Sequence, residues 1–370
     1  MAKESEVLVI GAGPAGIASA IAARLRGFEV TVADCRRPPI DKACGEGLLP
    51  EGVAALRRLG VHFTPDVAHP FSGLRFRDNT ISAHAYFGNG PAYGIRRTTL
   101  HRILLVRAES LGVNFLWGAR LTGAAGGVVH LNREPVAYRW LVGADGYNSQ
   151  VRKLAGLSSF QLYKSSRLGF RRHFRVTPWS EFVEVFWGEG IQIIVTPTAG
   201  DEVCLSLFTS NPRLRLKEAI ACFPELASRL LEASPADAEL GSITALRNSR
   251  CAAYESIALV GDASCSVDGV AGQGLSLAFQ QALLLGEALS KRNLHLYAEA
   301  HHRLTENARR MTGLLLVMGR SVWIRRKILR LFSAKPEAFS RMIALHASPE
   351  RGQSVGVREV LHLTFEMLGA

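Results

Sequence analysis

The chain offers little that would cross-link it, anchor it in a membrane or send it out of the cell. Its six cysteines (35, 44, 204, 222, 251 and 265) are scattered, with no Cys-x-x-Cys pair. That excludes a disulfide scaffold and a thioredoxin-like redox pair, and no cluster has the spacing of zinc ligands, so no metal site is expected. No uncharged apolar stretch is long enough to cross a bilayer. Met1-Ala2-Lys3-Glu4-Ser5-Glu6 runs straight into a strand, without the apolar core of a signal peptide. A cytoplasmic chain with reduced thiols is the expectation. Internal repeats and low-complexity linkers are absent too. What remains is globular: 370 residues, 48% hydrophobic, 8% aromatic and 21% charged. That length suits two or three structural units.

Acidic residues are in short supply, and the net charge is +12. The excess is local. From His301 to Arg341 there are ten Lys/Arg against two Glu, so no diffuse nucleic-acid footprint is expected. In this segment Met311, Leu314, Leu315, Met318, Val322, Leu329 and Phe332 follow helical spacing, while Arg320, Arg325, Arg326, Lys327 and Arg330 crowd the positions between. The pattern predicts a basic amphipathic helix over 311–332 that carries Trp323. Such a helix either lies on a membrane surface or acidic partner, or docks on the rest of the chain with its basic face in water.

Hydrophobic periodicity divides the chain. Residues 7–33 read strand, glycine turn, Ala-rich helix (about 14–26, stopped by Gly27), strand. Residues 96–118 read helix then strand, and 140–156 a short strand with an Asp-Gly turn. Residues 168–209 hold four β-rich runs separated by Pro, Gly or Asp, the pattern of an antiparallel sheet. Residues 213–234 read as helix, 257–290 as strand, Gly-Asp turn, glycine-rich loop and helix, and nearly everything beyond 296 as helix. The dinucleotide-binding unit is therefore expected to be discontinuous, made of 1–75, 95–160 and 250–295. A β-rich substrate domain (76–94 with 161–249) is inserted, and 296–370 forms a C-terminal helical region.

The strongest chemical signal is Gly11-Ala12-Gly13-Pro14-Ala15-Gly16. Gly11 permits a tight turn, Gly13 lets backbone approach a pyrophosphate, and Gly16 allows close packing of helix on strand. Pro14 is tolerated near the first helical position. The phosphates would lie at the positive end of the helix, by Pro14 and Ala15. Asp34 ends the second strand, placed to accept from a ribose hydroxyl, and Cys35 and Arg36 follow it in the same site. These features suit NAD and FAD equally.

Two later segments discriminate. Leu141-Val142-Gly143-Ala144-Asp145-Gly146 resembles the "DG" motif of flavoprotein monooxygenases. Ile257 to Ala282, with Gly261-Asp262-Ala263 and Gly272-Gln273-Gly274-Leu275, resembles their "GD" motif. Arg97-Thr98-Thr99-Leu100 resembles the Arg-x-x-Leu helix start of the same family, and Lys42-Ala43-Cys44-Gly45-Glu46-Gly47 the Cys-Gly segment of geranylgeranyl-reductase-like enzymes. In order and spacing over roughly 5–290, the chain resembles the FAD-dependent monooxygenase (group A hydroxylase) and geranylgeranyl-reductase-like superfamily. The resemblance implies a Rossmann-type, glutathione-reductase-like FAD domain of α/β class with an antiparallel β substrate domain. It implies that Asp262 accepts from the ribityl chain, that the 272–275 loop faces the pyrimidine end of the isoalloxazine, and that Arg97, Asp145, Gly146, Cys44 and Gly45 lie near the cofactor. With a single dinucleotide fingerprint, NAD(P)H would visit only transiently.

The chain departs from both branches. The His and Pro of the hydroxylase Gly-Asp segment are replaced by Cys265 and Gly269, and the halogenase tryptophan motif is absent. Of the reductases' aromatic tunnel motif, Gln192-Ile193-Ile194-Val195-Thr196-Pro197 keeps only the final proline, although alternate residues of that strand could still form an apolar wall. Cys44 either meets the flavin or packs tightly beside Gly45. Glu46 is a base in the cavity or half of a salt bridge. Arg171, Arg172 and His173 lie on a solvated strand face or meet a polar head group. The expected function is NAD(P)H-driven, FAD-dependent oxidation of a lipophilic or aromatic small molecule, such as a polyketide, phenolic lipid or isoprenoid of secondary metabolism. The alternative is reduction of isoprenoid double bonds. A monomer or a dimer would serve either.

Overall fold

A computed structural model of the chain describes residues 3–157, 159–161, 167–249 and 251–347. The core begins with the run Val7-Leu8-Val9, wholly buried in β1 (Lys3–Ile10). A strand apolar on both faces must be covered on both, which favours the centre of a parallel sheet. β1 pairs in parallel with strand 134–143 on one side and β2 (Val30–Asp34) on the other; strands 257–259 and 114–117 extend the sheet outward in the same direction. Helix α1 (Pro14–Arg24) crosses between β1 and β2. Leu25-Arg26-Gly27 ends it, with Gly27 at a φ of +86°, a conformation that suits glycine at a helix stop. The predicted strand–turn–helix–strand unit is present, its edges within a few residues of those expected.

Helices α2 (Pro50–Arg58) and α3 (Arg97–Ser110) belong with this sheet, as does the single turn and a half of α4 (Gln150–Leu154). The region expected to be helical over 213–234 holds two short helices, α5 (Leu216–Ile220) and α6 (Pro224–Arg229). Pro224 lacks the N–H that would continue the first helix, and it opens the second instead. Helix α7 (Gly274–Ser290) follows the expected glycine-rich loop.

The second large sheet has strands 167–175, 202–209, 191–198, 182–187, 73–77 and 82–86 side by side, with 240–244 pairing to 167–175. It is antiparallel except where 73–77 runs parallel to 182–187. Both faces of its central strands are covered. Phe186, Ile193, Val195, Leu205 and Leu207 pack outward under α5 and α6, while Val183, Val185, Ile194 and Phe208 face inward. Strand 191–198 alternates with the pleat, but its apolar set, Ile191, Ile193 and Val195, faces the core under α5 and α6, so the expected apolar wall is present on the inward side only at Ile194, beside Gln192 and Thr196.

The C-terminal region is helical, in α8 (Leu294–Arg320), α9 (Val322–Ala334) and α10 (Pro336–Ala347). The amphipathic pattern over 311–332 is thus two helices rather than one. Ser321 separates them and caps α9, its Oγ accepting from Ile324 N. The apolar face is buried: Met311, Leu315, Met318, Leu329 and Phe332 join the core against the second sheet, with Phe332 stacked on Phe339 of α10. Arg325, expected on the basic face, is buried and donates to the Met318 carbonyl. Trp323, Val322 and Val317 stay exposed. Among the described residues no helix is long and apolar enough to cross a membrane.

Candidate active site

A cavity of about 670 Å³ opens between the two sheets, within the usual size of a cofactor or ligand pocket. At one end is the glycine turn. Gly11 has a φ of +107°, and a Cβ there would stand 2.5 Å from the Ala144 carbonyl oxygen. Ala12 N donates to Asp34 Oδ2 at 2.8 Å, so the acid at the end of β2 also holds the loop. His101, one turn into α3, is buried, and burial pushes it below its usual value although the Ala12 carbonyl opposes this. The neutral ring donates Nε2–H to that carbonyl at 2.8 Å.

The two later motifs meet at this end. Asp145 Oδ2 accepts from the backbone N–H groups of Gln150 and Val151 and caps α4. Arg152, almost wholly buried, donates to the carbonyls of Tyr147 and Ala263, tying the 145–147 turn to the 261–263 turn. Helix α8 supports the latter from behind. His301 Nε2 lies 2.9 Å from Ser264 Oγ, which donates to the Gly261 carbonyl. Tyr297 donates to the Leu259 carbonyl.

Burial, with Arg309 and His302 adding to it, pushes His301 down from 6.5 to about 3. Between those values the unfolded chain binds a proton that the native chain refuses, so stability is complete above pH 6.5 and falls as pH drops below it. The slope is about 1.4 kcal/mol per pH unit. Urea unfolding should therefore show about 2 kcal/mol less stability at pH 5 than at pH 7.5 from this residue. His301→Gln, which keeps a donor for Ser264, should remove that share; an unchanged pH dependence would refute the assignment.

The cavity brings most of the expected site residues together. Gly11, Gly13, Pro14, Ala15, Asp34, Cys35, Arg36, Cys44, Gly45, Glu46 and Arg97 line it. So do Asp145, Gly146, Gly261, Asp262, Gly272, Gly274 and Leu275. Two expected residues do not line it. Gly16 is behind the turn, where α1 presses on Gly11, and Gln273 is buried at the start of α7. Asp262, expected to meet the ribityl chain, pairs with Lys42 Nζ at 2.8 Å. Burial alone would raise its carboxyl, but the Lys42 ammonium, with Arg97 behind it, holds it below the usual carboxylate range.

The wall opposite was not anticipated. Arg171 and His173 are buried, not solvated. Arg171 binds Asp41 with both carboxylate oxygens at 2.8 and 2.7 Å and Asp237 at 2.6 Å. His173 Nδ1 meets Asp237 Oδ2 at 2.7 Å and Nε2 meets Glu46 Oε2 at 2.5 Å. Glu46 Oε1 also accepts from Arg97 N at the start of α3. Of the two readings of Glu46, the ion pair is therefore present, on a carboxylate at the cavity wall. Glu46, His173 and Cys204 place three ligand atoms within 4.8 Å of one another. Arg171 Nε, 3.9 Å from Glu46 Oε1, already places a positive charge beside this carboxylate, and burial beside Glu46 pushes the Cys204 thiol well up.

The residues present fit FAD. Gly13 offers bare backbone at the start of α1, where a Cβ would meet nothing nearer than Arg97 Nη2 at 3.9 Å. Arg97 Nε and Asp145 Oδ1 are buried at the cavity without a hydrogen-bond partner among the described residues. Beyond the glycine turn the walls turn apolar. Val183, Val185, Ile194 and Phe208 come from the second sheet, Met311 and Leu315 from α8, and Met342 and Ile343 from α10.

Comparison with known proteins agrees with this geometry. The family model described as FAD binding domain matches residues 4–294. A menaquinone reductase of Mycolicibacterium smegmatis is 33% identical over 169 residues, which cover 42% of this chain and 41% of that protein. The chain thus spans about two fifths of the length of this relative. A kynurenine 3-monooxygenase of Aspergillus clavatus is 26% identical, with 83% of this chain and 72% of that protein covered. Among solved structures, a flavoprotein/dehydrogenase from Cytophaga hutchinsonii superposes with a TM-score of 0.83 at 18% identity, covering 99% of this chain and 100% of the other; the likeness is one of fold.

Proposed function

The chain belongs to the FAD binding domain family, and from that premise we propose that it is an FAD-dependent monooxygenase of a lipophilic or aromatic small molecule, reduced by NAD(P)H. One observation carries the reading: a single cavity joins the glycine turn to an apolar chamber between the second sheet and the C-terminal helices. When bound, FAD would supply the electron chemistry, taking up a hydride from NAD(P)H and allowing one atom of oxygen to be transferred to an electron-rich carbon. The chain itself binds and shelters. The turn at 11–16 and the start of α1 hold the pyrophosphate, Asp34 the ribose, and Asp262 with Lys42 the ribityl chain. Val183, Val185, Ile194 and Phe208 orient an apolar ring or chain, and with α8 and α10 they keep water from the reacting carbon. No nucleophilic triad is needed, because the cofactor carries the electrons.

A second reading has its own support. Cys44 and Gly45 line the cavity, as the resemblance to geranylgeranyl-reductase-like enzymes implies, and the menaquinone reductase is the relative of higher identity. In that case the chamber would hold an isoprenoid double bond. Product mass separates the two. Incubation of the FAD-loaded protein with NAD(P)H, labelled oxygen and a panel of alkylated phenols, quinolones and prenylated quinones should give a product heavier by one labelled oxygen. A product that gains two hydrogens under anaerobic conditions would replace oxygenation with reduction.

A further inference from the structure

The ion cluster at the cavity wall does more than hold strands together. Three elements and two loops bring it about. Asp41, Cys44 and Glu46 come from the 41–46 segment, and Arg96 and Arg97 from the start of α3. Arg171 and His173 come from strand 167–175, Glu202 and Cys204 from strand 202–209, and Asp237 from the loop before 240. Four carboxylates (Asp41, Glu46, Glu202 and Asp237) face two guanidiniums (Arg96 and Arg171). The cluster is short of positive charge, and His173 has a carboxylate at each ring nitrogen. A proton on that ring makes two charge-assisted hydrogen bonds. Glu46 is a buried non-glycine residue held at a φ of +59°, a conformation that costs free energy and is found where a side chain must be aimed.

We propose that Glu46 is the proton-exchanging acid of the cavity and that His173 stores its proton. Asp237 accepts from Nδ1–H and fixes the tautomer, leaving Nε2 as the nitrogen that exchanges with Glu46. Arg171 positions both carboxylates. In delivery, the Nε2–H bond breaks as an O–H bond forms on Glu46. That bond then breaks as the proton passes to a basic atom of the molecule in the cavity. The chain loses one proton and no electrons, ends as imidazole and carboxylate, and regains the proton from solvent water between turnovers. Glu46 is thus a catalytic residue, and His173 and Asp237 are positioning residues. The inference rests on the cavity being a flavin site, but not on whether oxygen or a double bond receives the electrons.

The test uses the full, FAD-loaded chain labelled with ¹⁵N-histidine. The wild type should show a far-downfield, exchange-protected proton on His173 Nε2. Glu46→Gln and His173→Gln should lose it, and Asp237→Asn should change the tautomer of the ring. With a turned-over substrate, Glu46→Gln at full FAD occupancy should lower kcat about 100-fold, the scale of general acid–base catalysis, with little change in KM. His173→Gln should shift the pH profile of kcat; should that variant fail to fold, Glu46→Gln, which keeps shape and volume, decides alone. A wild-type rate and pH profile in Glu46→Gln, the absence of the downfield proton, or one tightly bound zinc per chain would each overturn the proposal. If no substrate in the panel is turned over, the functional reading fails, while the ¹⁵N signal still decides the Glu46–His173 pair.

Discussion

Gly16→Ala should destabilise the fold, and Gly13→Ala should spare the fold and lose the cofactor, although the two glycines stand three residues apart. A Cβ on Gly16 would lie 1.9 Å from the Gly11 carbonyl oxygen and 3.1 Å from Ala144 Cβ. The obstacle is backbone, so α1 itself has to move off the sheet. Overpacking of this kind costs about 1–3 kcal/mol when side chains can yield, and the rigid loop puts this case at the top of that range or above it. Gly13 caps α1 with extended backbone at a φ of −73°, which alanine accepts, and its Cβ would face open cavity. Alanine at the cap costs a few tenths to about 1 kcal/mol of stability. The same methyl stands where a pyrophosphate must come close, so FAD affinity should fall by tenfold or more. Urea unfolding of both FAD-free variants and flavin titration of each would check this. A stable, fully yellow Gly16→Ala, or a Gly13→Ala that binds FAD like the wild type, would contradict the roles given to them.

Arg171→Met should cost about 3–5 kcal/mol, the usual consequence of removing one partner from a buried ionic network. Arg171 is 3% exposed, and its loss leaves the wholly buried Glu46 and the partly buried Asp41 and Asp237 facing one another. Arg171→Lys should recover less than half of the loss, because a single ammonium cannot stand both where Nη2 meets Asp41 and where Nη1 meets Asp237. Added salt should rescue little, since the network is shielded from water. Urea midpoints of the three proteins at low and high salt would settle it. A methionine variant within about 1 kcal/mol of the wild type would mean that the carboxylates had found other partners.

How far the sequence could be read depended on how local the physics was. The FAD end was legible because each signal is local: a glycine turn between a buried strand and a helix, an acid ending the next strand, a Gly-Asp pair before a glycine-rich loop. Even the His101 prop is one helical turn from Arg97. The wall opposite was not legible. Asp41 and Arg171 are 130 residues apart, and nothing near either names the other. Phe170-Arg171-Arg172-His173 looks like alternation on a sheet with one wet face. At this strand the sheet has no wet face, because α5 and α6 cover one side and the cavity with its helices the other. Arg171 and His173 therefore point inward and need carboxylates, which only the tertiary fold supplies. Two helix breaks had a local signal that hydrophobic periodicity does not carry. Pro224 divides the helical stretch over 213–234, and Ser321, by capping α9, splits the single helix expected over 311–332.

Helices α8 and α10 have a consequence for descent. The family match ends at residue 294, yet Met311, Leu315, Met342 and Ile343, all beyond it, wall the apolar chamber. Half of the chamber wall thus lies outside the matched stretch, while Val183, Val185, Ile194 and Phe208 lie within it alongside the residues at the cofactor end. A crossover near Asn293, between α7 and α8, would graft the helical half of one lineage's chamber wall onto another's cofactor seat. The graft would have to keep the buried packing of α8–α10 on the second sheet, where Phe339 meets Phe76 and Arg326 pairs with Asp78, as well as the hydrogen bonds of His301 and Tyr297 to Ser264 and the Leu259 carbonyl. That shared core and those two hydrogen bonds are the toll on any such exchange.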